Sequence, residues 1–270
     1  MPDLILSTAN RRYGRLQPPA MPARRMLTRG LPAGVSLFKD LRHLCGPVKD
    51  QGNEGSCTGH AFSSNIEWIN RAYFKRQPIL SPQYFYAREL MATGDFPNDV
   101  GSDGLTGCEV SIAAGCCEIS EYPYVAGKII SPTPAQDENA KQYALGAYHG
   151  VNGSLTAISC LADPTPWPVA IGFTVYESFE SNEVARTGVM PIPGPDEQEL
   201  GGHEVAGCAG YDIGDVPTLR PAGCPPAIFI QNSWGTGWGI GGRFWMPLAI
   251  LDLPSTDTKI AHSGPPWIPK

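Results

Sequence analysis

The sequence lacks any long apolar run, and this absence excludes the usual ways of entering or crossing a membrane. No apolar segment in its 270 residues approaches the roughly 18 residues of a membrane span. The early apolar run Leu4-Ile5-Leu6 is too short for the core of a signal peptide. We therefore expect no membrane partner and no Sec-type export, with a cytoplasmic location as the default and a non-Sec route left open.

The chain also lacks the cysteine patterns of the common metal and disulfide folds. None of its eight cysteines forms a Cys-x-x-Cys pair, which excludes the usual zinc motifs. Eight cysteines in 270 residues are also far less dense than in a small disulfide-rich protein. We expect mostly free thiols, no metal and no cofactor. The adjacent Cys116 and Cys117 are interpreted as core thiols, because neighbouring cysteines form strained bridges. A bridge between Cys208 and Cys224, which flank a turn, stays open as an alternative.

Charge is distributed unevenly along the chain. Residues 1–36, which we call the basic arm, hold six arginines and one aspartate and carry +5, whereas residues 37–270 carry −11. The arginines alternate with prolines and follow no sustained period, so the arm cannot bury enough surface to fold alone. Any order in the arm must therefore come from a partner, and the nearest partner is the acidic body of the same chain.

A glycine-rich loop from Gln51 to Ser56 delivers Cys57 to the start of a predicted helix. The apolar residues that follow recur every three or four positions and indicate a helix packed on one side: Phe62, Ile66, Ile69 and Tyr73. Unpaired N–H groups and the positive end of the helix dipole favour thiolate in a first turn, and thiolate is the nucleophilic form. Cys57 is therefore the candidate nucleophile, with a buried structural cysteine as the alternative.

Two further helices and a set of strands are predicted after this loop. One helix is capped by Ser81-Pro82 and stops at Gly94, and a shorter one opens at the turn Gly101-Ser-Asp-Gly104. Apolar strands follow from about Tyr148, and they are Val169–Tyr176, Val205–Tyr211, Ala227–Gln231 and Arg243–Met246. Helices first and strands second predict an α+β protein of two lobes with a site in the cleft between them.

Three polar residues could complete a cysteine-based site. His203 begins one predicted strand and Asn232 ends another, so adjacent strands could place them side by side. A histidine could accept the thiol proton and protonate a leaving amine, while an amide holds its ring in one tautomer. Gln51 could bind the oxyanion that develops on an attacked carbonyl, together with the Cys57 backbone N–H.

These residues stand in motifs that resemble those of the papain-like cysteine peptidases. Gln51 opens Gln-Gly-x-x-Gly-Ser-Cys, His203 follows a glycine pair, and residues 232–242 read Asn-Ser-Trp-Gly-x-x-Trp-Gly-x-x-Gly. The resemblance extends over about residues 37–250. Asp40-Leu-Arg, the pair Cys57-Thr in place of Cys-Trp, and the late Met246-Pro247 resemble a bacterial branch of the family.

The resemblance implies a papain-like two-lobed fold, with a helical left lobe, an antiparallel barrel-like right lobe and the active-site cleft between them. It implies an endopeptidase that acts through a thiolate–imidazolium pair of Cys57 and His203 and a thioester acyl-enzyme. Trp234 would shield the hydrogen bond between His203 and Asn232. Three further residues are implied to bind substrate: Gly104 and Gly202 through their backbone groups, and Trp238 on the leaving-group side.

The chain departs from the family pattern at several positions. Glu54 and Ser102 stand where the family has a cysteine pair, so that disulfide is not expected. Glu204 replaces a small apolar residue after the histidine, and we expect it to face solvent, as carboxylates usually do. His60 lies three residues after the nucleophile and is interpreted as a packed or surface histidine, because it lacks an orienting amide.

On this interpretation residues 1–36 form an autoinhibitory prosegment and residues 37–270 a peptidase domain. Its helical lobe would span about 45–135 and its β lobe about 136–250, followed by a tail at 251–270. We expect the basic arm to lie in the cleft over Cys57 and to be removed by cleavage between about Gly30 and Phe38. Nucleic-acid or membrane binding by the arm is disfavoured, because its scattered arginines form no helical basic face.

The expected partners are therefore protein or peptide substrates and the chain's own arm, and the chain is expected to be a monomer. Two other functions stay open. A transferase or deamidase would share the acyl-enzyme and differ only in what reaches it. A binding protein that has lost catalysis would keep the fold, but the intact set of Gln51, Cys57, His203 and Asn232 argues against it.

Overall fold

The computed structural model describes residues 11–262, so residues 1–10 of the basic arm and residues 263–270 lie outside the described part. The helices are α1 (Cys57–Ile69), α2 (Pro82–Thr93), α3 (Gly104–Ala113), α4 (Pro134–Lys141), α5 (Gly153–Ala162), α6 (Asn182–Thr187) and α7 (Leu248–Leu251). The strands are β1 (Met26–Leu27), β2 (Phe38–Asp40), β3 (Ala147–Val151), β4 (Val169–Tyr176), β5 (Glu199–Asp212), β6 (Ala227–Gln231), β7 (Arg243–Pro247) and β8 (Asp257–His262).

Local capping chemistry sets both ends of α2, as the sequence predicts, and the start of α3. The Ser81 hydroxyl accepts a hydrogen bond from the Tyr84 backbone N–H at 3.1 Å, and α2 ends at Gly94 in the left-handed conformation. The Asp103 carboxylate accepts a hydrogen bond from the Leu105 backbone N–H at 2.7 Å at the start of α3. Each cap satisfies backbone groups that a helix end leaves unpaired.

Helix α1 is buried on every side, so the prediction that it packs on one side only is wrong. It lies between α2 and β5 and forms the centre of the molecule. Two of its polar residues share a buried partner: the Lys49 ammonium donates to the Ser63 hydroxyl at 3.2 Å and to the Glu67 carboxylate at 2.7 Å. A sequence pattern shows apolar periodicity but not these long-range polar partners.

The strands form one sheet in the order β1-β3-β8-β4-β5-β6-β7, and β2 pairs with the far end of β5. Every pair is antiparallel except β1 with β3. Strand β5 is the longest and begins at Glu199, six residues before the predicted start. Its two neighbours, β4 and β6, are the strands that hold the site residues in register.

Part of the predicted C-terminal tail is a strand inside the sheet. Strand β8 pairs with β3 on one side and β4 on the other. Its sequence, from Asp257 to His262, carries too few apolar residues to indicate a strand, but Ile260 is buried and the backbone fills the gap between two other strands. The prediction of a tail is therefore wrong as far as residue 262.

The described part of the basic arm is ordered by contacts with the body. Strand β1 extends the sheet by pairing with β3, and Leu27 is buried there. The Arg25 guanidinium lies 4.3 Å from the ring centroid of Tyr148, and Arg29 pairs with Asp163 at 3.2 Å. Within residues 11–262, no helix has the length and apolar character needed to cross a membrane.

Candidate active site

Cys57 is the first residue of α1 and is fully buried. The loop before it is held in place by the Gly55 backbone N–H, which donates to the Asp99 carboxylate at 3.1 Å. The thiol itself accepts hydrogen bonds from the backbone N–H groups of Glu204, the residue after His203, and of Gly14 in the basic arm. Two neighbours of the candidate nucleophile therefore come from distant parts of the chain.

The sheet brings His203 and Asn232 together. His203 lies on β5, Asn232 follows β6, and these strands are antiparallel neighbours. The Asn232 side-chain oxygen lies 2.8 Å from His203 Nε2, so Nε2 carries the proton in the neutral ring and Nδ1 is left as the basic nitrogen. His203 Nδ1 is buried and has no hydrogen-bond partner among the described residues. This is the arrangement required of a general base.

A set of aromatic rings closes the site behind the histidine. The Trp234 ring stacks on His203 with centroids 4.9 Å apart and an interplanar angle of 24°. Trp238 is buried behind Trp234, edge-on at 4.9 Å, and packs against Phe179. The basic arm contacts these rings through the Arg11 guanidinium, which lies 4.1 Å from the ring centroid of Trp234. Trp238 thus buttresses Trp234, and its expected contact with substrate stays a prediction.

Gln51 is buried and its amide is oriented from both sides. Its side-chain oxygen accepts a hydrogen bond from the Ser233 hydroxyl at 2.6 Å. Its side-chain nitrogen donates to the Glu54 carbonyl at 3.0 Å and to the Arg12 carbonyl of the basic arm at 3.4 Å. The N–H group proposed to bind an oxyanion therefore already faces a carbonyl oxygen.

The basic arm crosses the site as an extended chain between the two walls. The Arg15 backbone N–H donates to the Gly202 carbonyl at 3.0 Å. On the other wall the Ser102 N–H donates to the Gly14 carbonyl at 2.8 Å, and the Leu16 N–H donates to the Ser102 carbonyl at 2.7 Å. Gly202 thus makes the kind of backbone contact expected of it, here with the arm.

The backbone role expected of Gly104 belongs instead to Ser102, as far as the arm is concerned. Gly104 is the first residue of α3, and a Cβ at that position would lie 3.0 Å from a carboxylate oxygen of Glu204. It therefore forms part of the wall of a side-chain pocket. Ser102 lies two residues earlier, where the chain is still extended and its N–H and carbonyl are free to pair.

Glu204 does not face solvent, and that prediction is wrong. It is fully buried, and its carboxylate lies 3.8 Å from Nε of the Arg15 side chain. Asp257 on β8 also pairs with Arg15. Sequence reasoning missed both Arg15 and Asp257. The available signal was the unusual glutamate after the histidine, because a carboxylate at a buried position needs a cation.

Burial sets the protonation of the reacting pair. Burial raises the pKa of the Cys57 thiol to about 12, and the hydrogen bonds from Glu204 and Gly14 only partly offset it. Burial also lowers the pKa of His203 to about 4, against the opposing effect of the Asn232 hydrogen bond. In this arm-covered state the pair is a neutral thiol and a neutral imidazole, because a charged pair would need solvent or closer compensation.

The remaining histidine and the thiols near the site have structural surroundings. His60 is buried, its Nδ1 lies 2.9 Å from the Ser56 carbonyl, and its ring packs edge-on against Tyr124, which confirms the interpretation as a packed histidine. All eight cysteines are free, so Cys208 does not bridge to Cys224. Cys208 faces Cys45 instead, with the two sulfurs 3.6 Å apart. No group of three or more potential metal ligands occurs in residues 11–262.

Comparison with known families decides the classification. The model of the papain family cysteine proteases matches residues 36–250. The chain belongs to the papain family. Its α+β fold, with helices and a mostly antiparallel sheet, is the fold of that family, which confirms the predicted fold class.

Individual relatives agree with this classification. The chain is similar to xylellain, a cysteine protease from Xylella fastidiosa, at 25% identity and a TM-score of 0.79, over 95% of this chain and 97% of that one. It is similar in fold to bromelain from Ananas comosus, at 18% identity and a TM-score of 0.62, over 85% of this chain and 100% of that one. An uncharacterized peptidase C1-like protein of Acanthamoeba polyphaga mimivirus is 29% identical over 210 residues. That match covers 73% of this chain and spans 63% of the viral protein's length.

Proposed function

We propose that this papain-family protein is a cysteine endopeptidase that is made as a zymogen. The observation that carries the proposal is the path of residues 11–16, which run over a buried Cys57 between Ser102 and Gly202. A groove that pairs with an extended backbone on both walls is suited to bind a peptide. In this chain it binds the arm.

The residues around Cys57 supply each step of peptide hydrolysis once the arm has left. His203 takes the thiol proton, and the thiolate attacks the peptide carbonyl to form a C–S bond, with the oxyanion held by the Gln51 side-chain N–H and the Cys57 backbone N–H. The C–N bond then breaks and His203 protonates the leaving amine, which leaves a thioester on Cys57. A water molecule, deprotonated by His203, attacks the thioester, releases the acid and restores the thiol.

Asn232 and Trp234 act on the histidine rather than on the substrate. Asn232 accepts a hydrogen bond from His203 Nε2, which keeps Nδ1 as the basic nitrogen. The stacked Trp234 ring covers the imidazole and limits the access of water to that hydrogen bond. Both are therefore positioning residues.

Inhibition follows from what the arm occupies. The Arg12 carbonyl lies at the Gln51 amide, Gly14 lies on the thiol, and burial holds the reacting pair in its neutral state. The segment proposed for cleavage, between about Gly30 and Phe38, is exposed over most of its length, and Phe38 is 43% exposed. A protease can therefore reach it while residues 11–16 still cover the site.

The test compares the full chain with a variant that begins at Leu37, on blocked dipeptidyl substrates that release aminocoumarin. We expect the shorter variant to be at least tenfold more active, an epoxysuccinyl inhibitor to abolish its activity, and added arm peptide to inhibit it more weakly as salt screens the attraction. Cys57→Ala in both backgrounds is the control. Retention of a tenth of the turnover by Cys57→Ala, or equal activity of both chain lengths without inhibition by the peptide, would contradict the proposal.

The same assay separates hydrolysis from acyl transfer, which shares the acyl-enzyme. Product analysis in the presence of a large excess of a primary amine should show mainly the free acid. A mainly amidated product would assign the transferase function instead.

A further inference from the structure

A narrow pocket beside Cys57 encloses the side chain of Arg15. This side chain is 1% exposed. Two glycines make room for it: a Cβ on Gly172 would lie 2.3 Å from Arg15 Nε, and Gly104 borders the same space. Any larger residue at position 172 would fill the pocket. The pocket is therefore shaped for a long side chain that enters from the groove.

Carboxylates dominate the charge of this pocket. Glu204 and Asp257 lie on either side of the Arg15 guanidinium, and Asp103 is close enough to interact electrostatically with it. The opposing cation is Lys259, which pairs with the other oxygen of Asp257. When Arg15 leaves, the acidic side chains of Glu204 and Asp257 border the pocket with one ammonium group, and Asp103, which caps α3, lies nearby.

Glu204 is the group left least compensated by that departure. It is fully buried, and neither of its oxygens has a hydrogen-bond partner among the described residues. Burial raises its pKa to about 8, although the charge of Arg15 opposes the shift. At neutral pH the empty pocket therefore holds this group in its neutral form, and a cation that enters the pocket stabilises the ionised form. An active enzyme with an empty pocket would therefore favour a cationic side chain there.

The pocket lies on the acyl side of the reaction centre. Arg15 follows Gly14, whose N–H contacts the Cys57 thiol, so the pocket is one residue away from the nucleophile along the arm. Arg11, at the other end of residues 11–16, lies over the ring of Trp234. That ring stacks on His203, the residue that would protonate the leaving amine. A substrate side chain in the pocket would thus belong to the part of the peptide that stays bound as the thioester.

We propose that this pocket is a specificity site for arginine or lysine in the acyl part of the peptide substrate, and that Glu204 and Asp257 are the residues that recognise it. The inference rests on the proposed peptidase function. Arg15 then occupies the place of the preferred substrate side chain, which explains why the arm is held by a buried arginine and not only by its backbone. Citrulline, which has the shape of arginine without its charge, is the matched ligand for the test.

The experiment measures alkylation of Cys57 in the full-length chain by epoxysuccinyl dipeptides, followed by mass spectrometry. The probes carry arginine, citrulline or leucine at either of two positions. Every probe reacts only when the arm opens, so the ratio of two rates within one protein cancels the arm equilibrium and reports the pocket. We expect arginine to react roughly 10- to 100-fold faster than citrulline at one position, as expected for a charge-assisted contact.

Conservative variants then assign the effect to the two carboxylates. In Glu204→Gln and in Asp257→Asn the ratio of arginine to citrulline should fall towards one, whereas Glu199→Gln, an exposed residue on the same strand as Glu204, should keep the wild-type ratio. A wild-type ratio near one at both positions, or a ratio unchanged in both pocket variants, overturns the inference.

The outcomes also separate this inference from the proposed function. Peptide hydrolysis with no preference for arginine leaves the peptidase function in place and rejects the pocket. Absence of both hydrolysis and Cys57 alkylation in the chain that begins at Leu37 rejects the peptidase function, and the inference about the pocket fails with it.

Discussion

The helical wall and the sheet wall of the site each contain one buried histidine, and the comparison of the two is instructive. Burial lowers the pKa of both, that of His60 to about 3 and that of His203 to about 4. On the helical wall, His60 is held by the carbonyl of Ser56 one turn earlier on the same chain segment. On the sheet wall, His203 is held by a side-chain amide from a neighbouring strand.

The difference lies in which nitrogen is left for chemistry. Asn232 accepts a hydrogen bond from Nε2 of His203, which leaves Nδ1 as the basic nitrogen. In His60 it is Nδ1 that donates to a carbonyl, that of Ser56. A perturbed pKa alone therefore does not identify a general base in this molecule. The partner that orients the ring does, and a partner from another strand can be positioned independently of the histidine.

Removing each histidine in turn is the strongest test of which one acts as the general base. Cys57→Ala and His203→Ala should each reduce turnover by about 10⁴-fold or more, because the two residues act as one unit. His60→Ala should keep turnover close to wild type, although the cavity it leaves lowers stability. Steady-state kinetics on one aminocoumarin substrate decides the point, and the opposite ranking of the two histidine variants would show that the helical wall supplies the base.

Gln51 tests a contact between the two walls, because it belongs to the loop before α1 and its amide is oriented by Ser233 of the sheet wall. Gln51→Ala should lower kcat by roughly 10²–10³-fold with little change in KM, since an oxyanion contact strengthens in the transition state. Ser233→Ala removes the hydroxyl that donates to the Gln51 amide and should cost less. A loss confined to KM in Gln51→Ala would place this side chain in ground-state binding instead.

Acid stability tests whether both histidines are buried in the neutral form. A histidine whose folded pKa is depressed below about 6.5 binds its proton more readily in the unfolded chain, so stability is lost as the pH falls from 6.5 to about 4. Between these pH values the free energy of unfolding of the wild type should fall by on the order of 3 kcal/mol relative to His203→Ala, and by a similar amount relative to His60→Ala.

Denaturant titrations of the three proteins at several pH values measure this difference. The effect should be reduced for His203, and kept for His60, in chains that begin at Leu37, because the arm covers the sheet-wall histidine. If the two histidine variants behave alike in both chain lengths, the arm is not the cause of the lowered pKa of His203.

Two arginines of the described arm offer a smaller test. Arg15 is buried in the pocket, whereas Arg29 pairs with Asp163 away from the site, with a quarter of its side chain exposed. We expect Arg15→Ala to raise the activity of the full-length chain by about tenfold, since a buried ion pair loses one partner, and Arg29→Ala to change it little. Initial rates before any cleavage of the arm, checked by mass spectrometry, measure this. A larger effect of Arg29→Ala would place the main anchor on the sheet edge.

The smallest expected effect concerns the thiols that join the segment before α1 to the sheet. Counting thiols in the denatured, non-reduced protein should label at least six besides Cys57. Treatment with a mild oxidant should link Cys45 with Cys208 first, because their sulfurs are 3.6 Å apart, while Cys224 stays reduced. Peptide mapping identifies the bridge, and a first bridge between Cys208 and Cys224 would show that this part of the sheet is arranged differently.

The sequence alone determined the features that depend on residues close together in the chain. The caps at Ser81 and Asp103 set where helices begin, since each contact spans only two or three residues. The motifs around Cys57, His203 and Asn232 identified the candidate machinery because each carries a residue type that the chemistry requires. Caps, turns and apolar patterns predicted the order of helices and strands, and the motifs predicted the family fold.

Tertiary structure decided the features that depend on distant residues. The pocket joins Arg15, Glu204 and Asp257, which lie in three separate parts of the chain, and the backbone contact fell to Ser102 because α3 begins at Gly104. Strand β8 entered the sheet without an apolar pattern, since its neighbours left a gap that its backbone could pair across. Local composition shows whether a residue is charged or apolar. Only the packing of distant segments decides whether that charge faces water or a buried partner.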